Sequence, residues 1–428
     1  MEKSIFQLPF QVFARRQFYA KSQYWSADQI RQFQIEKLKK LLLHSGKNVP
    51  YYRELFHKIG FDPEKFTGLE QTKNIPLLDK ETVRRNPEKF LAVNARKFGI
   101  TWDSTSGSTG TPLHFVLSNS AQANKIAALL RSYSWAGYKI GMKTLCVQSY
   151  YFKDTDFKFN RLYNVLRFDS NKLKKGSALE AIKLINRIKP KFFMGFPFDL
   201  LMIARFAEEA GIQINPPRSI LTYGETLSNR KRKQLQEYYR CPVFNFFSLH
   251  EGAAMISECE EGNLHLIEDF AYHELIGEAG ISKLAGTNFY NYSMPLIRYE
   301  IGDNLIADGN VECNCGRHFR VIKEIAGKAC DYIQTPDGRI LGAVMSHSID
   351  LAKGVLCSQI IQQKLDEIQV KVIVDETFDD KSQSELEKGL RKRLGNEMKI
   401  EFQQVEQLEK QPSGKTAFII SKIGNVYE

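Results

Sequence analysis

The densest run of reactive residue types is Thr105-Ser106-Gly107-Ser108-Thr109-Gly110-Thr111-Pro112. Glycine lets backbone N–H groups come close to a phosphate, and Ser/Thr hydroxyls add further donors, so the run can wrap an anion. It is not a Walker-type loop, because no Lys-Ser/Thr pair opens a helix after it. Taken alone, such a run reads better as an ordinary flexible Ser/Gly turn. A second constellation is Cys313-Asn314-Cys315-Gly316 with Cys259 and His265 some fifty residues earlier. Two cysteines one residue apart can share a metal, and three Cys with one His form a common zinc set. Four protein ligands leave no open position, so the expected role is structural. The other reading is separate buried or free thiols. Cys146, Cys241, Cys330 and Cys357 form no such pattern, and His318 is only a spare candidate.

These groups need a frame. Ser26 caps a helix whose apolar residues run from Ile30 to Leu42, and Val49-Pro50 ends it. Strands at Ile100–Trp102 and Leu113–Leu117 bracket the Ser/Thr/Gly run. The pattern then alternates: helix Ala121–Trp135, strand Thr144–Gln148, helix Ala178–Arg187, strand Phe192–Phe196, helix Leu200–Ala210. Strand Ser219–Tyr223, helix Arg230–Tyr239 and strand Val243–Phe247 continue it. That spacing argues for an α/β fold with a largely parallel sheet. After Leu264 come short strands and Gly turns, a small β subdomain. Residues 331–428 read as strand, helix, two strands around Ile360 and Val372, helix Ser384–Leu394 and a strand around Phe402, an α+β module of about 100 residues.

In this frame the loop resembles the signature Ser-Gly-Ser/Thr-Thr-Gly-x-Pro of the adenylate-forming superfamily. More narrowly, the chain resembles the phenylacetate–coenzyme A ligase branch, with the CapK-like and coenzyme F390 synthetase-like proteins. Val49-Pro50-Tyr51-Tyr52-Arg53 and Ile75-Pro76-Leu77-Leu78-Asp79-Lys80 are typical of its leading region. Tyr223-Gly224-Glu225-Thr226-Leu227 resembles the segment lining the adenine pocket. Asn245-Phe246-Phe247-Ser248-Leu249-His250-Glu251 stands where the family has Asn-x-Tyr-Gly-x-Thr/Ser-Glu. Pro295-Leu296-Ile297-Arg298-Tyr299-Glu300-Ile301-Gly302-Asp303 is a second strong match. Gly327-Lys328-Ala329-Cys330-Asp331 occupies the hinge motif, and Gln411-Pro412-Ser413-Gly414-Lys415 the Pro-x-Gly-Lys loop. Three positions depart from the pattern: Ser248 replaces Gly, His250 replaces a small hydroxyl, and Lys328 replaces Arg, which keeps the charge without the planar fork.

The resemblance implies a large adenylate-forming domain, residues 1–327, with parallel and mixed sheets, helices and a small β subdomain. A small mobile α+β domain, 328–428, follows it. ATP would be held by Thr105 to Thr111, Gly224, Glu225, Phe247 stacked on adenine, Ser248, Asp303 on the ribose hydroxyls, and Lys328. Glu251 would hold Mg²⁺, and Lys415 would contact the α-phosphate and the attacking carboxylate, where negative charge builds. Related proteins carry a zinc set, implying zinc on Cys259, His265, Cys313 and Cys315. The implied reaction makes an acyl-adenylate and releases pyrophosphate, then transfers the acyl group to coenzyme A or to an amine-bearing precursor. CapK places such chemistry in capsular or surface polysaccharide synthesis. Two alternatives stand beside this: a ligase-dead nucleotide-binding protein of surface-polymer assembly, and adenylyl transfer onto a cofactor.

The totals agree with a large enzyme. The chain has 428 residues, 43% hydrophobic, enough for a large core and more than one domain. The net charge is +11, and the first 60 residues hold 11 Lys/Arg against 4 Asp/Glu. A solvated helix face, attraction of polyanionic small molecules, or weak peripheral contact with an anionic membrane aided by Phe6, Phe10, Phe13, Phe18 and Tyr19 all fit this. No nucleic-acid motif is present. Seven cysteines, an odd number, and the lack of a signal peptide or apolar span predict a cytoplasmic protein.

Overall fold

The computed structural model describes residues 9–104, 113–148, 150, 152–277, 281–307, 311–328, 333–336, 340–341, 352–410 and 416–423. The backbone falls into two compact units. One is Met1–Ile140 with Phe244–Glu324, and the other Gly141–Val243 with Ile325–Glu428.

In the first unit, Ser26 caps the helix Ala27–Asn48 in a reciprocal box with Gln29, as the sequence predicts. Its buried stripe is Ile30, Gln34, Leu38, Leu41, Leu42 and Ser45. Strands Ile100–Ser104 and His114–Ser118 pair antiparallel. Ser118 then caps the helix Asn119–Trp135, and eleven of its seventeen residues are buried. Its Arg131 forms a buried fork with Asp269 at 3.0 and 3.1 Å, and Ser22 donates to the same carboxylate at 2.5 Å. That ties the helices Pro9–Ser22 and Asn119–Trp135 to the β region. Strands Val243–Ser248, Met255–Glu258, Leu264–Leu266 and Val321–Ile322 pair antiparallel in that order. Ala271–Ile276, Ile281–Asn288 and Tyr299–Ile306 form a second antiparallel set.

In the second unit, Ser219–Tyr223, Phe192–Gly195, Thr144–Gln148 and Val165–Asp169 run parallel, and Phe157–Asn160 closes the edge antiparallel. Helices Lys175–Ile188, Pro197–Glu209 and Asn229–Tyr239 cover a core including Val147, Ile182, Ile203, Ile220 and Leu235. The strands at 157–160 and 165–169 are absent from the sequence reading, since Phe-Lys-Phe-Asn is only four residues long and Val-Leu-Arg-Phe-Asp alternates weakly and carries charge. Pairing with Thr144–Gln148 decides Val165–Asp169, and pairing with Val165–Asp169 in turn decides Phe157–Asn160. Gly195 is required by close approach: a Cβ there would lie 2.7 Å from the Val147 carbonyl oxygen.

The C-terminal module has strand order Lys399–Gln404, Glu367–Val374, Val355–Lys364, Ile419–Ser421, with helix Asp380–Leu394 packed on it. The two strands around Ile360 and Val372, the helix and the strand around Phe402 are where the sequence predicts them. Ile419–Ser421 is an addition, joined in parallel to Val355–Lys364 by non-local pairing. Among the described residues, no helix is long and apolar enough to cross a membrane.

Candidate functional site

Glu251 follows the strand Val243–Ser248, on which Phe246 is buried while Phe247 and Ser248 are half-buried. A tight turn fixes it. Gly252 adopts φ +77°, and a Cβ there would meet Asn288 Nδ2 at 2.8 Å. The same Asn288 amide donates to the Gly252 carbonyl at 2.8 Å. Glu251 is buried, and the buried Tyr299 hydroxyl donates to its carboxylate. Burial first, then this carboxylate, raises the Tyr299 pKa. Lys125 approaches from the helix Asn119–Trp135 and donates to the His250 carbonyl at 2.7 Å. Burial pushes the Lys125 pKa down to about 8, opposed by Glu251 and Asp103. His250 Nδ1 lies 3.3 Å from the Asp103 carboxylate, so the turn and the strand entering the Ser/Thr/Gly run are in polar contact. Sequence reasoning missed Lys125 and Asp103, which lie far from Glu251 in the chain and carry no local signal, and it quoted Tyr299 within the Pro295–Asp303 motif without giving it a role.

Asp303 sits on the same strand as Tyr299 and is buried. Its partner strand advances two residues, from Lys283 to Ala285, while this strand covers four, from Asn304 back to Glu300. The bulge holds Gly302 at φ +79°, a conformation glycine adopts without strain. Bulges re-aim the side chains around them, so the Gly-Asp pair is a device for presenting Asp303.

The two leading motifs hold this strand. The Tyr52 hydroxyl accepts from Ile297 N–H at 2.8 Å and donates to the Pro295 carbonyl at 3.2 Å. Leu78 N–H donates to the Arg298 carbonyl at 3.0 Å, and Glu300 N–H to the Leu78 carbonyl at 2.8 Å. Arg298 has φ +51° and is held by Glu274 at 2.9 Å and by the Ile75 carbonyl. The motifs around Tyr52 and Ile75 therefore act as braces for Pro295–Asp303.

Cys259, His265, Cys313 and Cys315 converge, with all ligand atoms within 4.8 Å of one another. Cys259 Sγ lies 3.6 Å from Cys313 Sγ, and Cys315 Sγ 3.5 Å from His265 Nε2. Tetrahedral zinc with ordinary bond lengths sets such S···S and S···N edges at about 3.8 and 3.5 Å. His265 Nδ1 faces the Phe319 carbonyl at 3.1 Å, which places its proton there and turns the Nε2 lone pair toward the cluster. Asn263 donates to Cys313 Sγ at 3.2 Å. The donor set and its spacing fit zinc.

In the second unit, Gly224 takes φ +76° after the strand Ser219–Tyr223 and turns the chain into Glu225. Both Glu225 oxygens accept backbone N–H groups, from Phe198 at 3.3 Å and from Thr416 at 2.6 Å. The Tyr223 hydroxyl donates to Gln148 at 2.8 Å. Lys328 ends the strand Glu324–Lys328. Thr105 to Thr111, Asp331 and Lys415 lie outside the described residues.

The fold is that of adenylate-forming ligases. A 2-hydroxyisobutyryl-CoA ligase solved in the postadenylation state with R3-HIB-AMP matches it with TM-score 0.76 at 17% identity, covering 96% of this chain and 92% of that one. Residues 333–422 match the family described as CapK C-terminal domain. Protein CapK of Staphylococcus aureus is 26% identical over 425 residues, 95% of this chain and 94% of CapK. A phenylacetate-coenzyme A ligase of Thermus thermophilus is 26% identical over 373 residues, 82% of this chain and 83% of that one. Along most of its length the chain is similar to CapK and to phenylacetate–coenzyme A ligases.

Proposed function

We propose that the protein activates a carboxylic acid with ATP, forming an acyl-adenylate and releasing pyrophosphate, and then passes the acyl group to an acceptor. The observation that carries this reading is the pairing of buried Glu251 with the Tyr299 hydroxyl, on the same strand that presents Asp303. Asp303 accepts the ribose hydroxyls, as a carboxylate can with its two oxygens. Phe247 stacks on the adenine and Ser248 follows it on the same strand, while Gly224 and Glu225 are assigned to the nucleotide by the resemblance of their segment. Glu251 is the residue that would hold Mg²⁺, which takes one or two carboxylates together with substrate phosphates. Bound there, the ion neutralises phosphate charge. The Thr105–Thr111 run surrounds the phosphates with N–H and hydroxyl donors. Lys415 offsets the charge that builds as carboxylate meets phosphorus. The small domain, residues 328–428, turns about Lys328 and Asp331 between the half-reactions.

Coenzyme A is the acceptor we favour, as the name of the Thermus relative supports. An amine-bearing precursor of a capsular or surface polysaccharide is the second choice, in keeping with the near full-length similarity to CapK. Zinc on Cys259, His265, Cys313 and Cys315 is structural in this reading. The site is reached from the cytoplasm, with no nucleic-acid partner, and the basic N-terminal helices allow weak peripheral membrane contact.

The test is ATP–pyrophosphate exchange across a panel of carboxylic acids, including phenylacetate and 2-hydroxyisobutyrate, followed by thioester detection with coenzyme A. Acid-dependent exchange that Glu251→Gln removes supports the proposal. ATP binding without exchange for any acid sinks it in favour of the nucleotide-binding alternative.

A further inference from the structure

Asp199 is a carboxylate with 1% of its side chain exposed, in the first turn of the helix Pro197–Glu209. Its immediate neighbour Phe198 joins Met202, Cys357, Ile373 and Leu408 in an apolar cluster. A charge in such a place is costly unless it is paired. Its cation is Lys410, with Nζ 3.0 Å from Oδ1, and the same ammonium donates to the Ser170 carbonyl at 2.8 Å. Burial raises the Asp199 pKa, Lys410 opposes that, and the nearby Glu225 carboxylate adds to it.

Glu225 is the second half of the arrangement. One of its oxygens accepts from Phe198 N–H, next to Asp199, and the other from Thr416 N–H at 2.6 Å. Two carboxylates are thus brought within mutual repulsion. One takes the ammonium of Lys410 and the other the amide of Thr416. Lys410 and Thr416 are the residues on either side of Gln411–Lys415. A purely apolar contact would join these elements without setting carboxylates against each other, as the adjacent cluster already does.

We infer that Asp199 and Glu225 are positioning residues for the adenylation half-reaction, acting through Lys410 and Thr416 to fix both ends of the Gln411–Lys415 segment. The inference rests on the ligase reading and adds to it Asp199, which has no place among the nucleotide-holding residues, and a second, positioning task for Glu225. Acyl transfer from a finished adenylate does not need the two anchors.

The experiment uses the full chain, with Lys410→Gln, Asp199→Asn, the double variant and Lys410→Arg. The probe acid is whichever of phenylacetate and 2-hydroxyisobutyrate exchanges faster in the unaltered protein. Exchange is compared with consumption of the synthetic acyl-adenylate of that acid by coenzyme A. Each single variant is expected to lower the exchange kcat about tenfold, with the double no worse than either single one. Acyl transfer is expected to stay unchanged, and Lys410→Arg to recover most of the exchange. Hydrogen exchange without substrates is expected to show the Thr416 amide losing protection in the Lys410 and Asp199 single variants. Unchanged exchange kinetics, or equal loss in both half-reactions, overturns the positioning role. A protein that exchanges with neither acid removes the catalytic part together with the ligase reading. Retained Thr416 protection in the variants removes the anchoring part on its own.

Discussion

Tyr52→Phe removes one oxygen and tests whether the leading motif serves the nucleotide site. The ring of Tyr52 is 1% exposed, and its hydroxyl satisfies both Ile297 N–H and the Pro295 carbonyl. Phenylalanine fills the same space, so the packing term is small. Two buried backbone groups lose a partner, at about 1–3 kcal/mol each, or roughly 2–4 kcal/mol together after local relaxation. For a unit of this size the heat-scanning midpoint should fall by roughly 4–9 °C. The loosened segment runs directly into Arg298, Tyr299 and the bulge that presents Asp303. ATP affinity, measured by calorimetric titration well below the midpoint, should therefore weaken by about tenfold, or 1.4 kcal/mol. The control is Tyr24→Phe, since Tyr24 is 57% exposed. A Tyr52→Phe protein that melts like the unaltered chain would refute the hydrogen-bond argument. One that melts early but binds ATP normally would refute the link from the brace to Asp303.

Further predictions follow from the same geometry. Asp303→Asn keeps the volume of the side chain but gives up one acceptor and the charge; ATP affinity should drop while the melting midpoint stays within about a degree or two, the range of a small perturbation. Cys315→Ser should lower bound zinc from one ion per chain, read by elemental analysis, and should make melting insensitive to chelator, which otherwise destabilises the protein. Equal zinc content in both would remove the metal assignment. Lys125 has its pKa lowered to about 8 from 10.5. Between those values the unfolded chain binds a proton that the folded chain does not, so this group makes stability rise with pH across that window. Lys125→Met should lack that increment, and parallel stability curves for the two proteins from pH 8 to 10.5 would contradict it.

Much of the fold was legible in local pattern. The Ser26 box, the apolar stripe from Ile30 to Leu42, and the alternation of strands and helices from Thr144 to Phe247 depend on residues close in the chain. The four ligand candidates Cys259, His265, Cys313 and Cys315 were chosen on residue type, and donors of one chemistry can be picked out before their distances are known. The strands Phe157–Asn160 and Val165–Asp169 had no such signature, because neighbours across the sheet stabilise them rather than their own alternation. The same holds for Ile419–Ser421.

Residue types and order fix which groups are available to do chemistry: hydroxyls on a Gly-rich run, a Glu, an Asp after Gly, thiols in pairs. Tertiary structure decides what each carboxylate faces. Glu251 receives the Tyr299 hydroxyl, Glu225 receives the Phe198 and Thr416 amides, and Asp199 receives Lys410, all from partners distant in the chain. No local pattern encodes these pairings. A buried charge depends on the dielectric and donors around it, and folding brings those together from segments as much as 211 residues apart.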